Sequence, residues 1–256
     1  MIKFFRGIRH KLFNDSKLSK YLLYAIGEII LVIIGILLAL QINEWNEERQ
    51  EHNTLKKNLE FVLLDIQADQ EQLKGLKEQR TKAVKFCSTI VDQYTEKQEI
   101  IYDRSSDGFK SILYELKFIR NLDGFTKVEK DPLFQTGTYQ GLRAKINAYK
   151  GQINQLIFDE QRLNYFIEEN ELKMFANGSF IAIYEHMRVK KRYADPSLNA
   201  PELNWLSILQ NNPPFQAILL RFEDDVNQFL IPHYNKTIEE GTKLKDAIEA
   251  HLVNSK

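Results

Sequence analysis

The residues best suited to metal or acid–base chemistry in this chain are five histidines, one cysteine and a few acidic runs, and their spacing argues against both uses. His10, His52, His186, His233 and His251 never pair at i+3 or i+4. No Glu-x-x-His occurs, so the carboxylate–histidine pattern of helical di-iron sites is missing. No Cys-x-x-Cys occurs, so that zinc signature is missing too. Gly-x-Ser-x-Gly, a phosphate-cradling glycine–lysine loop and Gly-x-Gly-x-x-Gly are also absent from the sequence. Glu168-Glu169-x-Glu171 and Glu223-Asp224-Asp225 read as solvated helix faces. The expectation is a chain with no catalytic residue, cofactor or metal site, and so not an enzyme. Residues 122–141 gather Phe125, Phe134, Thr136, Gly137, Thr138, Tyr139 and Gly141. That mixture suits either a recognition loop or, more commonly, a loop anchored by its own aromatics.

One charged residue stands where its type is costly. Residues 21–42 read YLLYAIGEIILVIIGILLALQI, in which fourteen of the twenty-two are Leu, Ile or Val and Glu28 is the one carboxylate. At about 100° per residue, Tyr21, Tyr24, Glu28, Gly35, Ala39, Ile42 and Asn46 fall within about 40° of one line. The stripe therefore combines the segment's charge, its small residues and a flanking amide. Gly35-x-x-x-Ala39 lets a second backbone come close. Glu28 would then face that partner and avoid lipid. The expected helix-association face is Glu28, Gly35, Ala39 and Asn46, packing on another membrane protein or on a second copy. The competing reading is that Gly and Ala fall there by chance and Glu28 snorkels or is protonated.

The element that must carry this stripe is a membrane-spanning helix. Twenty-two residues at about 1.5 Å each cover a hydrocarbon core of about 30 Å. Fourteen Leu, Ile and Val at roughly −0.3 to −0.6 kcal/mol each outweigh a carboxylate at roughly +2.5 to +3.5. Tyr21 and Tyr24 at one end and Trp45 at the other are expected interface anchors. A cleaved signal peptide would have a shorter apolar run and a small-x-small site, which Ala39-Leu40-Gln41 fits poorly. Residues 1–20 carry Lys3, Arg6, Arg9, Lys11, Lys17 and Lys20 against Asp15 alone, while Glu44, Glu47, Glu48, Glu51 and Glu60 outnumber Arg49, Lys56 and Lys57 beyond the span. The bias of basic residues to the cytoplasmic side puts the N-terminus inside. This gives a cytoplasmic basic segment 1–20, a transmembrane helix 21–42 and a domain 43–256 outside the cytoplasm, periplasmic in a Gram-negative cell. Phe4, Phe5, Ile8, Leu12 and Phe13 among the basic residues suit an amphipathic helix on the inner leaflet, or the charges simply set topology.

Lys plus Arg equal Asp plus Glu at 35 each, so no nucleic-acid footprint is present. With 43% hydrophobic and 27% charged residues the composition suits a globular helical protein with one anchor. The lone Cys87 excludes an intrachain disulfide and lies on an apolar helical stripe, which favours core packing over an intermolecular disulfide.

Beyond the span, Leu55, Val62, Leu76, Ala83 and Ile90, with Leu59, Ile66, Leu73, Cys87 and Tyr94, recur at heptad spacing. Asp69 and Arg80 interrupt the stripe, and Gly75 marks the place where this long helix is expected to bend or break. The stripe suits a seam between two copies or burial against sibling helices; the second is favoured because later segments need a partner. Asp103–Gly108 signals a turn. A short helix is expected from about Phe109 to Asn121, with Ile112, Leu113, Leu116 and Ile119 on one side, then a loop over 122–137. A long helix follows from about Thr138 to Phe175. After a break at Asn177-Gly178-Ser179, Ser179 is placed to cap a helix to about Tyr193. A loop with Asp195-Pro196 and Ala200-Pro201 leads to a short helix near Glu202–Leu209. Pro213-Pro214 opens the last region, with Phe215, Leu219, Phe222, Val226 and Phe229 on one face, and Pro232 should kink or split it near His233. The fold class expected is all-α: one N-terminal transmembrane helix followed by an antiparallel helical bundle.

The first fifty residues carry a more specific pattern in Met1-Ile-Lys-Phe-Phe-Arg6, Lys20-Tyr-Leu-Leu-Tyr-Ala-Ile-Gly-Glu28, Gly35 and Asn43-Glu-Trp-Asn-Glu47. It resembles a family of small single-pass inner-membrane proteins of Bacteroidota, flavobacteria in particular, catalogued as a domain of unknown function. The rest of the chain is similar in length and helical character only. The resemblance implies a shared membrane module containing Glu28, Gly35 and the Asn-x-Trp-Asn junction, and it implies no activity, cofactor or substrate. The function expected is a non-enzymatic accessory subunit or scaffold whose periplasmic helical domain binds partner proteins. The alternative is a periplasmic ligand-sensing bundle signalling through the membrane helix.

Overall fold

A computed structural model describes residues 16–96, 108–181, 183 and 205–254. Among these residues every element is helical: α1 (Ser16–Thr95), α2 (Gly108–Leu113), α3 (Asp123–Glu129), two 3-10 turns at Leu133–Gln135 and Gly137–Tyr139, α4 (Gln140–Ala176), α5 (Trp205–Gln210), α6 (Pro213–Asp225), a π-turn at Val226–Leu230 and α7 (Ile231–Asn254). The chain divides into two compact units, Met1–Lys56 and Lys57–Lys256. In the first, the described residues belong to α1, and every described residue of 21–54 for which burial is given is exposed. Its most apolar window has mean hydropathy 2.6 with none of it buried, so one helix near the N-terminus is long and apolar enough to cross a membrane.

The second unit is built on the part of α1 beyond residue 56, on α4 and on the α6–α7 stretch. Leu59, Val62, Ile66, Leu73, Leu76, Ala83, Cys87 and Ile90 are all buried, so the heptad stripe faces the interior of this unit. Gly75 does not interrupt α1, which runs as one α-helix through it. A single mid-helix glycine costs only about 1 kcal/mol relative to alanine, too little to break a helix held by eight buried apolar neighbours. Hydrogen bonds link Asp69 to Tyr149 and Arg80 to Asn164, so α1 and α4 run in the same direction. Gln70 to Ile238 and Ser88 to Glu223 show α6–α7 running the opposite way. A strictly alternating bundle would oppose α1 and α4; the long connection over 96–139 lets them run parallel.

That connection departs from expectation. The helix foreseen over Phe109–Asn121 stops at Leu113, and residues 115–122 are neither helix nor strand. The loop foreseen over 122–137 contains α3 and the first 3-10 turn, and the second, Gly137–Tyr139, occupies the expected start of the long helix, which begins at Gln140. Gly124 explains the first turn of α3: a Cβ there would lie 2.4 Å from the backbone of Phe61 and Val62. The aromatics of this region are buried, with Phe125 stacked on Tyr149 at 5.9 Å and Tyr139 edge-on to His251 at 5.1 Å. They anchor the loop and do not present it.

Two other breaks are visible. At 177–179 Gly178 takes φ +77°, the left-handed conformation that favours glycine. Asn177, not Ser179, does the capping, its Oδ1 accepting from the Ser179 N–H at 3.0 Å. Pro232 removes a backbone donor, and the helix absorbs this upstream as the π-turn Val226–Leu230 without splitting at His233. The extra residue moves the buried face from Phe229, which is 40% exposed, to Leu230, which is 1% exposed. The expected segments over 1–14, 103–107, 184–193 and 195–201 lie outside the described residues, as do His10 and His186.

Candidate functional site

The residues singled out for membrane association all lie on α1. Glu28, Gly35, Ala39 and Asn46 are exposed, as are the expected anchors Tyr21, Tyr24 and Trp45 at 79%, 78% and 67%. Because the helix is continuous through these positions, the 100° step applies and the stripe holds as one face. A Cβ added at Gly35 would meet nothing within 4 Å, so this glycine is not required by packing inside the chain.

A second, polar site lies in the interior of the second unit, around the irregular strap 114–122. A segment without helix or sheet must find other partners for its backbone. Here side chains of the flanking helices supply them. Leu116 O accepts from Arg80 Nη2 and from Asn164 Nδ2, both at 3.0 Å. The Phe118 N–H donates to Glu160 Oε2 at 2.6 Å and the Ile119 N–H to Gln72 Oε1 at 2.7 Å. The Asn121 N–H and its Nδ2 both donate to Asp69 Oδ1 at 2.9 Å. Asp65 Oδ2 then takes the Gly124 N–H at 2.7 Å, at the start of α3. Asp65, Asp69 and Gln72 are spaced about one turn apart along α1, which lets one helix hold three successive points of the strap.

Behind the strap lies a closed polar cluster. Arg80 is fully buried, Glu160 is 1% exposed and Tyr234 is fully buried. Tyr234 donates its hydroxyl hydrogen to Glu160 Oε1 at 2.5 Å, and Arg80 Nη2 donates to Asn164 Oδ1 at 3.3 Å. Beside it, His233 Nδ1 stands 2.8 Å from Asp159 Oδ2. Burial raises the carboxyl pKa of Asp65, Asp69 and Glu160 above the ordinary range, against the pull of their hydrogen-bond donors. The Arg80 guanidinium also opposes the rise at Glu160. Burial likewise pushes the Tyr149 and Tyr234 hydroxyls up, so both remain donors at neutral pH.

The strap's first residues also form one wall of a cavity of about 450 Å³. Leu113, Tyr114 and Glu115 face Gln161, Asn164, Tyr165, Ile167, Glu168 and Glu171 of α4 across it. Glu171 is half-buried, and desolvation followed by the neighbouring charge of Glu168 pushes its carboxyl up to about 7. The run Glu168-Glu169-x-Glu171 is thus not uniformly solvated: Glu169 is exposed and pairs with Lys173 at 3.4 Å, whereas Glu171 faces the cavity. The run 223–225 differs from expectation in the same way, with Glu223 accepting from Ser88 at 2.6 Å and Asp225 9% exposed beside Arg221.

Cys87 is a core residue. It is fully buried, its thiol donates to Leu219 O at 3.0 Å, and burial pushes its pKa up to about 12. Among the described residues no group of three or more His, Cys, Asp or Glu is placed to hold a metal ion.

The signal for the polar cluster lay in the heptad pattern. Asp69 and Arg80 occupy inward phases where apolar residues are expected, and those two interruptions mark the buried network. Glu160, Tyr234 and the cavity had no comparable local signal. Fold and site together define an all-α protein with one helix suited to span a membrane and a helical unit with a buried polar network. No protein-family model, curated protein or solved structure matches the chain.

Proposed function

We propose that the protein is a non-enzymatic, single-pass inner-membrane protein, with its N-terminus cytoplasmic and its helical domain periplasmic, that binds partner proteins as an accessory subunit or scaffold. The observation that carries this reading is the exposed apolar N-terminal part of α1 with Glu28, Gly35, Ala39 and Asn46 in phase. A carboxylate in hydrocarbon costs roughly 2.5–3.5 kcal/mol, which a hydrogen-bonding or cationic group on a neighbouring helix would offset. Close approach at Gly35 and Ala39 gives that neighbour a place to sit. The partner is another membrane protein or a second copy in the lipid bilayer. The resemblance of residues 1–50 to a family of bacterial single-pass proteins supports the same location. Photo-crosslinking from positions 31 and 38 in living cells tests the association. Glu28→Ala and Gly35→Leu are each expected to remove or redistribute the wild-type crosslinks, and an unchanged pattern in both variants would count against the proposal.

The cavity beside the strap favours a second reading, a periplasmic ligand sensor. Its volume of about 450 Å³ lies within the range usual for small-molecule sites. Its walls come from two elements, the strap and α4, tied together by the Asn164–Leu116 hydrogen bond, so an occupant would bear on how they are held.

A further inference from the structure

Resting on that second reading, we propose that the cavity between the strap and α4 binds a small organic cation, a primary or substituted ammonium carrying an apolar tail. Three properties of the walls lead there. First, among the described residues no lysine, arginine or histidine lines the cavity, while Glu115, Glu168 and Glu171 do. Glu115 has a cation already, Lys117 Nζ at 3.5 Å. Glu168 and Glu171, one helical turn apart, meet none among the described residues, and desolvation at Glu171 makes that lack costly. A positive group between them would relieve both the burial and the like-charge cost.

Second, the cavity is not a bare acidic surface. Tyr114 and Tyr165, which line it, are exposed residues at 61% and 68%, and each brings an aromatic ring to the wall. Aromatic faces attract ammonium groups, more strongly once water is excluded. Leu113 and Ile167 give the remaining wall an apolar surface that suits a hydrocarbon tail and gives nothing to a bare metal ion.

Third, the polar part of the wall is fixed before anything binds. Asn164 donates to Leu116 O and accepts from Arg80, whose side chain is fully buried behind it with Nε and Nη1 lacking a hydrogen-bond partner among the described residues. Arg80 is not among the residues that line the cavity, and within the core its guanidinium acts on Glu160, favouring that carboxyl's charged form against burial. An anionic ligand would face two uncompensated carboxylates and is disfavoured. A neutral one would leave them as they are.

The test uses the full-length chain in a nonionic detergent, with hexylammonium, hexanol and hexanoate as isosteric probes in isothermal titration. Hexylammonium is expected to bind saturably, and Glu168→Gln/Glu171→Gln to weaken it by about tenfold or more. Circular dichroism and the melting temperature check that the variant folds. Tyr165→Ala, at an exposed position, provides a second variant expected to weaken binding without loss of fold. Saturable hexylammonium binding that is unchanged in both variants would overturn the proposal, as would no saturable binding at all. If hexanol or hexanoate binds as well as hexylammonium and Tyr165→Ala abolishes it, the ligand-site reading stands and the cation assignment falls.

Discussion

Arg80 and Glu160 show how much can rest on single side chains. Removing one partner of a buried ionic network leaves the other charge uncompensated, at a cost of about 3–5 kcal/mol. Arg80→Ala is therefore expected to lower unfolding stability by about that amount in urea titration. Glu160→Gln keeps one acceptor in place of a carboxyl whose ionised form burial already disfavours, and is expected to cost less, about 1–3 kcal/mol. The pH dependence follows from the raised pKa values. Asp65, Asp69, Glu160 and Glu171 hold a proton more tightly when folded than when unfolded. Each contributes stability that is fully present below its unfolded pKa and is lost as pH rises through the folded one. For Glu171 that window runs from about 4.3 up to about 7. Glu171→Gln should flatten the fall in unfolding free energy across this window, measured by chemical denaturation from pH 4 to 8. A slope identical to wild type would show that the group is solvated. At this scale the sequence was legible only where a charge broke an apolar rhythm, as Asp69 and Arg80 do. Glu171 sits in an acidic run that looks like any solvated face, because nothing local tells how far an opposing segment will desolvate it.

The strap is the element on which the second unit's unusual order depends. Its amides lie outside any helix yet are bonded to buried or half-buried acceptors, so hydrogen exchange should find Phe118 and Asn121 protected, together with Gly124 at the start of α3. Asp69→Ala should release the amide of Asn121 while leaving those within α4 slow. Gly124→Ala forces a methyl against the backbone of Phe61 and Val62, which cannot move aside as a side chain would. The expected loss is about 1–3 kcal/mol, read from the melting temperature. The long helices were legible because their apolar residues repeat at helical spacing: Ile146, Tyr149, Ile153, Leu156 and Leu163 are all buried as that spacing implies. The strap was not, because Leu113, Leu116 and Ile119 imitate a helical face while side chains 36 to 52 residues away bind its backbone groups outside any helix. Phe229 failed for a related reason, since a π-turn shifts phase by one residue and no residue type announces it.

At the scale of the whole molecule the central expectation is partition into membrane. The intact polypeptide should sediment with membranes and require detergent for release, and protease added to spheroplasts should remove the part beyond residue 42. Recovery of the intact chain in the soluble fraction would overturn both functional readings at once. The apolar segment is legible from sequence because hydrocarbon thickness imposes a length and a composition that few other environments demand. The identity of a proposed partner is not, because small residues and one carboxylate could describe only one side of such a contact.

The strap carries a last implication for how this chain tolerates change. Its route is dictated by Gln72, Asp69, Arg80 and Glu160 through main-chain atoms, which every amino acid other than proline supplies alike. Tyr114, Ile119 and Leu122 meanwhile point outward, at 61%, 62% and 39% exposure. Those three letters are thus nearly free to drift without altering the path they follow, and the cavity rim formed by Tyr114 can be retuned to a new occupant while the scaffold beneath it stays constant.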